Sequence, residues 1–392
     1  MYRIGQQEID ELSKVIESRQ LFRAGNADNG HQQQVVRFEH EWGETVGRKY
    51  SLCLSGGGTA ALICGLVGMG IGPGDEVLVP AYTWMATALA VLAVGAIPVL
   101  VDIDESLSID PLDIERKTTP QTKAVIPVHM TGRPADLQRI TDFARLHKMF
   151  VLEDCSQADG GSYRGRRVGS WGEAGAFSFN DYKIMTCGEG GALVTDDRTI
   201  YERALVYHDA GAAFRPYGQD LSVPIFLGQQ YRASELMGAV LRAQLQRLDG
   251  ILSDLRRMRR AFHEQLADSG LRFAPSNDPE GDCGVLVAFQ FDDEKSARAF
   301  ASAQGVEGGL PIDSDKHVYT NWTPILEKNI GHHPAVNPYN YAQNQNLRTH
   351  LDHETCARTL DILRRNVYVS MNPDWTNEQL DARIACCRNA AK

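Results

Sequence analysis

The chain has 392 residues, 43 % of them hydrophobic and 23 % charged, and a formal net charge of −10. That is the balance of a globular chain long enough for two domains, or for one large domain and a smaller one. An acidic chain without a basic tract does not suit a phosphate backbone, so a nucleic-acid partner is not expected.

The N-terminus, MYRIGQQEIDELSK, is charged and lacks an apolar core, so no signal peptide is expected. Residues 1–48 read as helices and an arm, with a polar loop over 23–34. From residue 50 the pattern alternates: the strand SLCL and a helix after GGGT; the strand EVLVP (76–80) and a helix from Thr83; then IPVLVD (97–102), KAVIPV (123–128), a helix over 134–147 and MFVLED (149–154). Short β-branched runs separated by helices predict a largely parallel sheet covered on both faces. GAFSF (175–179) and GALVT (191–195) add two strands. The longest apolar stretch, 84–101, is broken by Gly95 and Pro98, so it reads as a buried helix followed by a strand and no membrane span is expected.

Residues 232–268 read as a helix with Leu236, Leu241, Leu245, Leu248 and Leu252 at helical spacing, the bridge to a smaller C-terminal domain. That domain is expected to hold a strand at 285–291, a helix at 294–303, a strand at 367–371 and a last helix opened by the capping box Thr376-x-x-Gln379. Its middle, 305–350, reads as irregular, and the basic run at 256–260 as a solvated helix face. Eight cysteines form no CxxC pair, so neither a disulfide framework nor a metal site is expected, and a reducing cytoplasm fits.

Four stretches carry chemistry. SGGGTAAL (55–62) puts glycines and Thr59 at a helix start, where free N–H groups and the helix dipole favour an anion; the alternative is a plain glycine-rich cap. The lysine of a nucleotide-triphosphate loop is absent, and GMGIGPGD (68–75) lacks dinucleotide-binding spacing and reads as a helix stop. FVLEDCSQADG (150–160) delivers Glu153 and Asp154 at the C-terminal end of a strand, the edge where open α/β sheets bind ligands, with Gln157 following. PAYTWMAT (80–87) places Tyr82 and Trp84 after another strand, to stack on a ring or to pack under a loop. AFSFNDYKIMTCGEGG (176–191) sets Lys183 between a strand and a glycine-rich turn, with Ser178 upstream. A phosphate cradle, a stacking aromatic, a carboxylate for a pyridinium nitrogen, a phenolic-oxygen partner and an imine-forming lysine together describe a pyridoxal site.

With GTAAL, EDxxQ, FSF followed by lysine, GEGG and YRASE in this order, the sequence resembles the DegT/StrS (DegT/DnrJ) family of sugar aminotransferases over residues 35–250. The resemblance implies an α/β chain of the type I (aspartate aminotransferase-like) fold of pyridoxal-phosphate transferases. Residues 1–250 would form the large cofactor-binding domain with its N-terminal arm, and 251–392 the small C-terminal domain. It implies pyridoxal 5′-phosphate on a Schiff-base lysine, Lys183, which is also the proton shuttle. Asp154 would pair with the pyridinium, Gln157 with the phenolic oxygen, and Trp84 would stack on the ring. Gly58, Thr59 and Ser178 would hold the phosphate. The resemblance also implies a homodimer with composite sites, in which an asparagine reaches the neighbouring subunit's phosphate; Gln230, one methylene longer, stands at that place. His129, in PVHMTG, is open to two readings: contact with cofactor or substrate, or packing.

The implied reaction moves an amino group from glutamate or glutamine to a keto sugar. The C-terminal ending VSMNPDWT (369–376) is similar to the subgroup that aminates an octulosonate, making an 8-keto octulosonate the first expected acceptor and a nucleotide-linked 3- or 4-keto hexose the second. The polar groups of 180–182, Tyr319–Asn321–Trp322 and 331–345 would meet the polyol, and Arg232 reads as structural. A dehydratase branch carries histidine in place of the lysine, which Lys183 disfavours. A cofactor-binding regulator without turnover is the remaining alternative.

Overall fold

The computed structural model describes residues 2–211 and 220–391. The N-terminal arm leads into helices α1 (Gln6–Ser18) and α2 (Gln34–Val46). Strand β1 (Tyr50–Leu54) runs into α3 (Gly57–Gly68), β2 (Glu76–Pro80) into α4 (Ala86–Ala93), and β3 (Ile97–Val101) into α5 (Pro111–Lys117). Strand β4 (Thr122–Val125) precedes α6 (Leu137–His147) and β5 (Phe150–Asp154), and a ribbon of β6 (Ser162–Tyr163) and β7 (Arg166–Arg167) precedes β8 (Ala174–Ser178) and β9 (Gly191–Thr195). Helix α7 (Arg198–His208) then leads to α8 (Glu235–Gln265).

Seven strands form one sheet in the order β1-β9-β8-β5-β4-β2-β3. Pairing is parallel except on the two sides of β9, which is antiparallel to β1 and β8. Strands β2 and β3 are buried at every residue, which is why they read as continuous apolar runs and not as alternation. All four motif segments leave the C-terminal ends of strands, namely β1, β2, β5 and β8, so the topology alone gathers them at one edge.

Helix α8 is 31 residues long, and residue 250, the division expected from sequence, falls inside it. Its first carboxylate, Glu235, is buried and accepts from the N–H groups of Gln34 (2.7 Å) and Val35 (3.0 Å), so α8 caps α2. Beyond it, β10 (Arg272–Phe273), β11 (Leu286–Gln290) and β12 (Asn366–Ser370) make a three-stranded antiparallel sheet flanked by α9 (Glu294–Ala301), α11 (Ala357–Arg364) and α12 (Asn377–Ala390). The capping box of α12 is formed: Gln379 N–H donates to Thr376 Oγ1, and Thr376 N–H to Gln379 Oε1. The stretch 305–350 holds short 3-10 turns and one four-residue helix, α10 (Thr323–Leu326).

Part of that stretch returns to the large sheet. Thr83 and Met85 donate their N–H groups to the carbonyls of His317 and Lys316, each at 3.0 Å, and Val318 bridges to Tyr82. Those donors face sideways to a neighbouring segment, so α4 opens at Ala86 and not at Thr83 as expected. Among the described residues no helix is long and apolar enough to cross a membrane.

Candidate active site

A cavity of about 610 Å³ opens at the C-terminal edge of the sheet, and its lining includes Gly58, Thr59, Trp84, Asp154, Gln157, Ser178 and Lys183. The structure therefore brings seven of the eight expected residues to one place. The eighth, Gln230, is exposed, bridges to Asp209 on the next segment and does not line the cavity of its own chain.

One end of the cavity is a cradle. Gly57 holds φ at +67°, open to glycine at little cost, and turns the chain into α3. A Cβ on Gly58 would lie 2.5 Å from Ser156 Oγ and 3.0 Å from Ser178 Cβ, so only glycine lets both serines approach the helix start. Free N–H groups of the first turn, the Thr59 hydroxyl and two serine hydroxyls are a donor set for a phosphate. Ser156 was not foreseen; its hydroxyl two residues past the carboxylate pair is the only sequence signal.

At the other end, the alternation of β5 separates two adjacent acids. Asp154 is buried, accepts from Thr87 Oγ1 at 2.8 Å and from Ser156 N–H at 3.1 Å, and lines the cavity. Glu153 points to the opposite face, where it accepts from the N–H groups of Gly169, Trp171 and Gly172 at 2.7–2.8 Å and from His129. Burial pushes the Glu153 carboxyl up, but His129 and these N–H groups outweigh it and hold the acid below its ordinary value. His129 accepts from Ala135 N–H on Nδ1 (3.1 Å), so Nε2 carries the proton shared with Glu153 at 3.3 Å. Fully buried and outside the cavity lining, His129 is a packing histidine. His129, Glu153 and Cys155 come within metal-ligand reach of one another. Both His129 nitrogens and the Glu153 oxygens are already engaged, however, and burial pushes the Cys155 thiol well up, so the trio offers no ligand set.

Lys183 follows β8 on a turn held by Asn180, whose Oδ1 accepts from Tyr182 N–H (3.0 Å) and whose carbonyl accepts from Lys183 N–H (3.1 Å). Burial lowers the Lys183 amine below its ordinary value, with Asp159 and Asp154 opposing. A desolvated amine is more often neutral than a surface one, as a nucleophile or base requires. This accounts for a charged residue between an apolar strand and a glycine turn.

Asp159 is fully buried, and among the described residues neither carboxylate oxygen has a partner at hydrogen-bond geometry; the Met185 N–H leans on it without reaching one. Burial raises this carboxyl well above its ordinary 3.8, and the Lys183 charge opposes the rise. A carboxyl raised on folding costs nothing while both states hold the proton, and destabilises the fold increasingly as pH climbs above the unfolded value. Asp159→Asn is expected to raise the melting temperature of the cofactor-free chain, by more at pH 7.5 than at pH 5. Scanning calorimetry at both pH values checks it, and an equal shift at each would be inconsistent with a raised carboxyl.

Gln157 is held at both ends of its amide. Oε1 accepts from Thr131 N–H at 2.9 Å, and Nε2 lies 3.3 Å from His317 Nε2. His317 lines the cavity and was not foreseen, since it comes from the irregular 305–350 stretch. Its ring centroid is 5.2 Å from that of Trp84, which is 48 % exposed at the cavity wall. Tyr82, in contrast, packs in the core.

Of the groups expected to meet a polyol, Asn180 and Tyr182 line the cavity, while Asp181 accepts from Tyr2 Oη at 2.6 Å. The expectation for Tyr319, Asn321 and Trp322 is corrected: Tyr319 Oη donates to His353 O, Trp322 Nε1 to Lys316 O and Asn321 Nδ2 to Asp315 O, and none of the three lines the cavity. Nothing from 331–345 lines it either; Asn344, for example, is buried against Gly95 and Pro338. Arg232 is structural as expected, ion-paired with Asp209.

Residues 3–304 match the DegT/DnrJ/EryC1/StrS aminotransferase family, and the chain belongs to that family. It is 42 % identical to L-glutamine:scyllo-inosose aminotransferase of Streptomyces griseus over 223 residues, 55 % of this chain and 52 % of that protein. It is 38 % identical to GDP-perosamine synthase of Escherichia coli O157:H7 over 221 residues, 56 % of this chain and 59 % of that protein. The matches thus span little more than half the length of these curated relatives. Among solved structures, S. venezuelae DesV in complex with a ketimine intermediate is similar at a TM-score of 0.76 and 27 % identity, covering 98 % of this chain and 95 % of that one. The type I fold expected from the sequence is thereby the fold of the chain.

The residues present fit pyridoxal 5′-phosphate: a hydroxyl and N–H cradle for the phosphate, a buried carboxylate aligned by two donors, an amide with a spare N–H and a desolvated amine share one cavity. When bound, this cofactor supplies an aldehyde that carries an amino group and a ring that accepts electrons.

Proposed function

We propose that the chain is a pyridoxal-phosphate-dependent aminotransferase that moves an amino group from glutamate or glutamine to the ketone of a sugar or cyclitol. The observation that carries this reading is the meeting of the Lys183 amine, the Asp154 carboxylate and the Gly58 cradle in one cavity. In this reading Lys183 holds the cofactor and moves the proton between carbons, Asp154 faces the ring nitrogen, Gln157 gives an N–H to the phenolic oxygen, Trp84 covers the ring, and Gly58, Thr59 and Ser178 bind the phosphate. Residues 1–250 hold the cofactor, and 251–392 form the smaller domain that supplies His317. The intact lysine, acid and amide set favours turnover over a purely regulatory role.

The acceptor is inferred from the wall. Lys183 is the one lysine or arginine among the described residues that line the cavity; Asp154 and Glu189 are acidic, and other polar lining residues, such as Asn180, Tyr182, Thr131 and Ser370, are neutral. An 8-keto octulosonate carries a carboxylate far from its reacting carbon, and a nucleotide-linked hexose carries a diphosphate; each would draw a cation from outside this chain's wall. An uncharged ring ketone needs no such cation and is the preferred acceptor, supported by the inosose named for the Streptomyces griseus relative. A nucleotide-linked keto hexose is the second reading, supported by the perosamine synthase. The donor's own carboxylate also needs a cation. We assign that cation to a second subunit, in a homodimer where Gln230 reaches the neighbour's phosphate; the exposed Ile225 and Leu227 beside Gln230 suit such a contact.

The test loads the enzyme with the amine form of the cofactor, adds each ketone, and scans for return of the aldehyde-form absorbance. An inosose is expected to restore it fastest. If short α-keto acids alone restore it, the sugar reading is wrong, and an octulosonate preference would reverse the order of acceptors. Light scattering at assay concentration is expected to give a dimer; full activity in a monomer would remove the composite site.

A further inference from the structure

We propose that His317 is a positioning residue for Gln157: through its Nε2 lone pair it orients the amide so that one N–H points to the cofactor's phenolic oxygen. The proposal rests on the aminotransferase reading above. It is carried by a hydrogen-bond chain whose direction is fixed at both ends. Ser314 O, which can only accept, lies 3.0 Å from His317 Nδ1, so Nδ1 carries the ring proton. Thr131 N–H, which can only donate, lies 2.9 Å from the Gln157 amide, so that end is Oε1. The 3.3 Å contact between the two residues is then Gln157 N–H donating to His317 Nε2. One amide N–H is left over on a side chain that lines the cavity.

The ring itself is anchored. His317 donates its backbone N–H to Ser314 O (3.2 Å), and its carbonyl accepts from Thr83 N–H (3.0 Å), so the small domain's loop is tied to the segment bearing Trp84. A neutral imidazole is needed, because a protonated one would turn a second N–H against the Gln157 NH₂. Burial is the main effect lowering the His317 pKa, with the Lys183 charge adding to it and the Ser314 carbonyl and Asp315 opposing. The charged groups that act on the ring are thus Lys183 from the β8 turn and Asp315 from its own turn; the Trp84 ring and the Gln157 amide lie beside it.

The experiment compares wild-type holoenzyme with His317→Phe, which keeps a ring but no acceptor, and His317→Gln, whose Oε1 can replace Nε2. Cofactor dissociation constants and the position of the visible absorption band are read from pH 8.5 down to the lowest pH at which the holoenzyme stays folded. Loss of one such hydrogen bond predicts cofactor binding weakened about threefold to tenfold in His317→Phe, with a displaced band. Wild type is expected to move toward that behaviour as the pH falls through the His317 pKa, and His317→Gln to keep wild-type behaviour without the acid limb. Wild-type band and affinity in His317→Phe at every pH, or a His317→Gln enzyme no better than His317→Phe, would overturn the proposal. A readout free of cofactor separates this from failure of the function itself. The side-chain ¹⁵N resonance of Gln157 should titrate with His317 in the cofactor-free wild type and stay constant in His317→Gln. A Gln157 side-chain signal in cofactor-free His317→Phe that is the same as in wild type at neutral pH sinks the positioning role, whereas a chain that takes up no pyridoxal phosphate sinks the aminotransferase reading.

Discussion

Lys183→Ala is expected to abolish transamination while the enzyme still retains pyridoxal phosphate. Two roles fall on this one amine. It is the desolvated nucleophile of the cavity, lowered mainly by burial, and it is the group placed to carry a proton between the reacting carbons. General acid–base catalysis alone contributes roughly 10²–10⁴-fold, and loss of the covalent attachment adds to it, so a fall of about four orders of magnitude or more is anticipated. Retention is expected because the cradle is built from other residues: the α3 start, Thr59, Ser156 and Ser178 do not use Lys183. The fold should not suffer, since alanine removes an amine whose burial is unfavourable. Turnover and cofactor content after dialysis are the two measurements. Near wild-type turnover would remove Lys183 from the mechanism, and loss of cofactor together with activity would remove the cradle.

Much of this site was legible because its parts stand at the ends of apolar strand runs, where chain order and period two fix their place. EVLVP and GALVT are strands with the bounds read from sequence, and the edge of the sheet collects the segments that leave β1, β2, β5 and β8. Periodicity cannot give which of two adjacent acids faces the ligand: the resemblance pointed to Asp154, and the physical difference lies in the 169–172 loop that covers Glu153 and in Thr87, which bonds Asp154. His317 and Thr131 were invisible for a different reason. They act through single hydrogen bonds from irregular segments, where no pattern marks the spot where the chain returns. Tyr319 and Trp322 misled because aromatic residues with polar tips suit a sugar site and a core equally well; here their tips are spent on backbone carbonyls. Helices α5 and α7 were missed although signals existed. Asp110 and Asp197 are N-caps whose carboxylates accept from Leu112 N–H, and from Thr199 and Ile200 N–H, and Pro111 sits in the first turn of α5. The antiparallel sense of β9 is marked by no local feature of GALVT.

Asp154→Ala and Asp154→Asn are expected to fold and to lose activity by orders of magnitude. The carboxylate is held in place before any cofactor arrives: Thr87 Oγ1 donates to Oδ2 and Ser156 N–H to Oδ1, so its orientation is set by the protein. A carboxylate facing the ring nitrogen keeps that nitrogen protonated, and the protonated ring is the electron acceptor the reaction needs. A nearby opposite charge moves a pKa by about one to three units, so its removal alone lowers the protonated population by roughly ten- to a thousandfold. Asparagine keeps the size but not the charge, and its NH₂ meets a donor if turned toward the Ser156 N–H, so it should rescue little. Alanine leaves the Ser156 N–H without its partner, a cost of about 1–3 kcal/mol if it stays buried and unpaired, which a chain of this size tolerates; the Thr87 hydroxyl keeps Thr83 Oγ1 at 2.8 Å and the Trp84 carbonyl at 3.2 Å. Thr87→Val, which removes one orienting donor and leaves the charge, should cost far less than either substitution. The measurements are kcat/KM for all three variants and a pH titration of cofactor absorbance. Unchanged rates in both Asp154 variants would refute the role. A Thr87→Val enzyme as impaired as Asp154→Ala would shift it from the charge of Asp154 to the hydrogen-bond network around it.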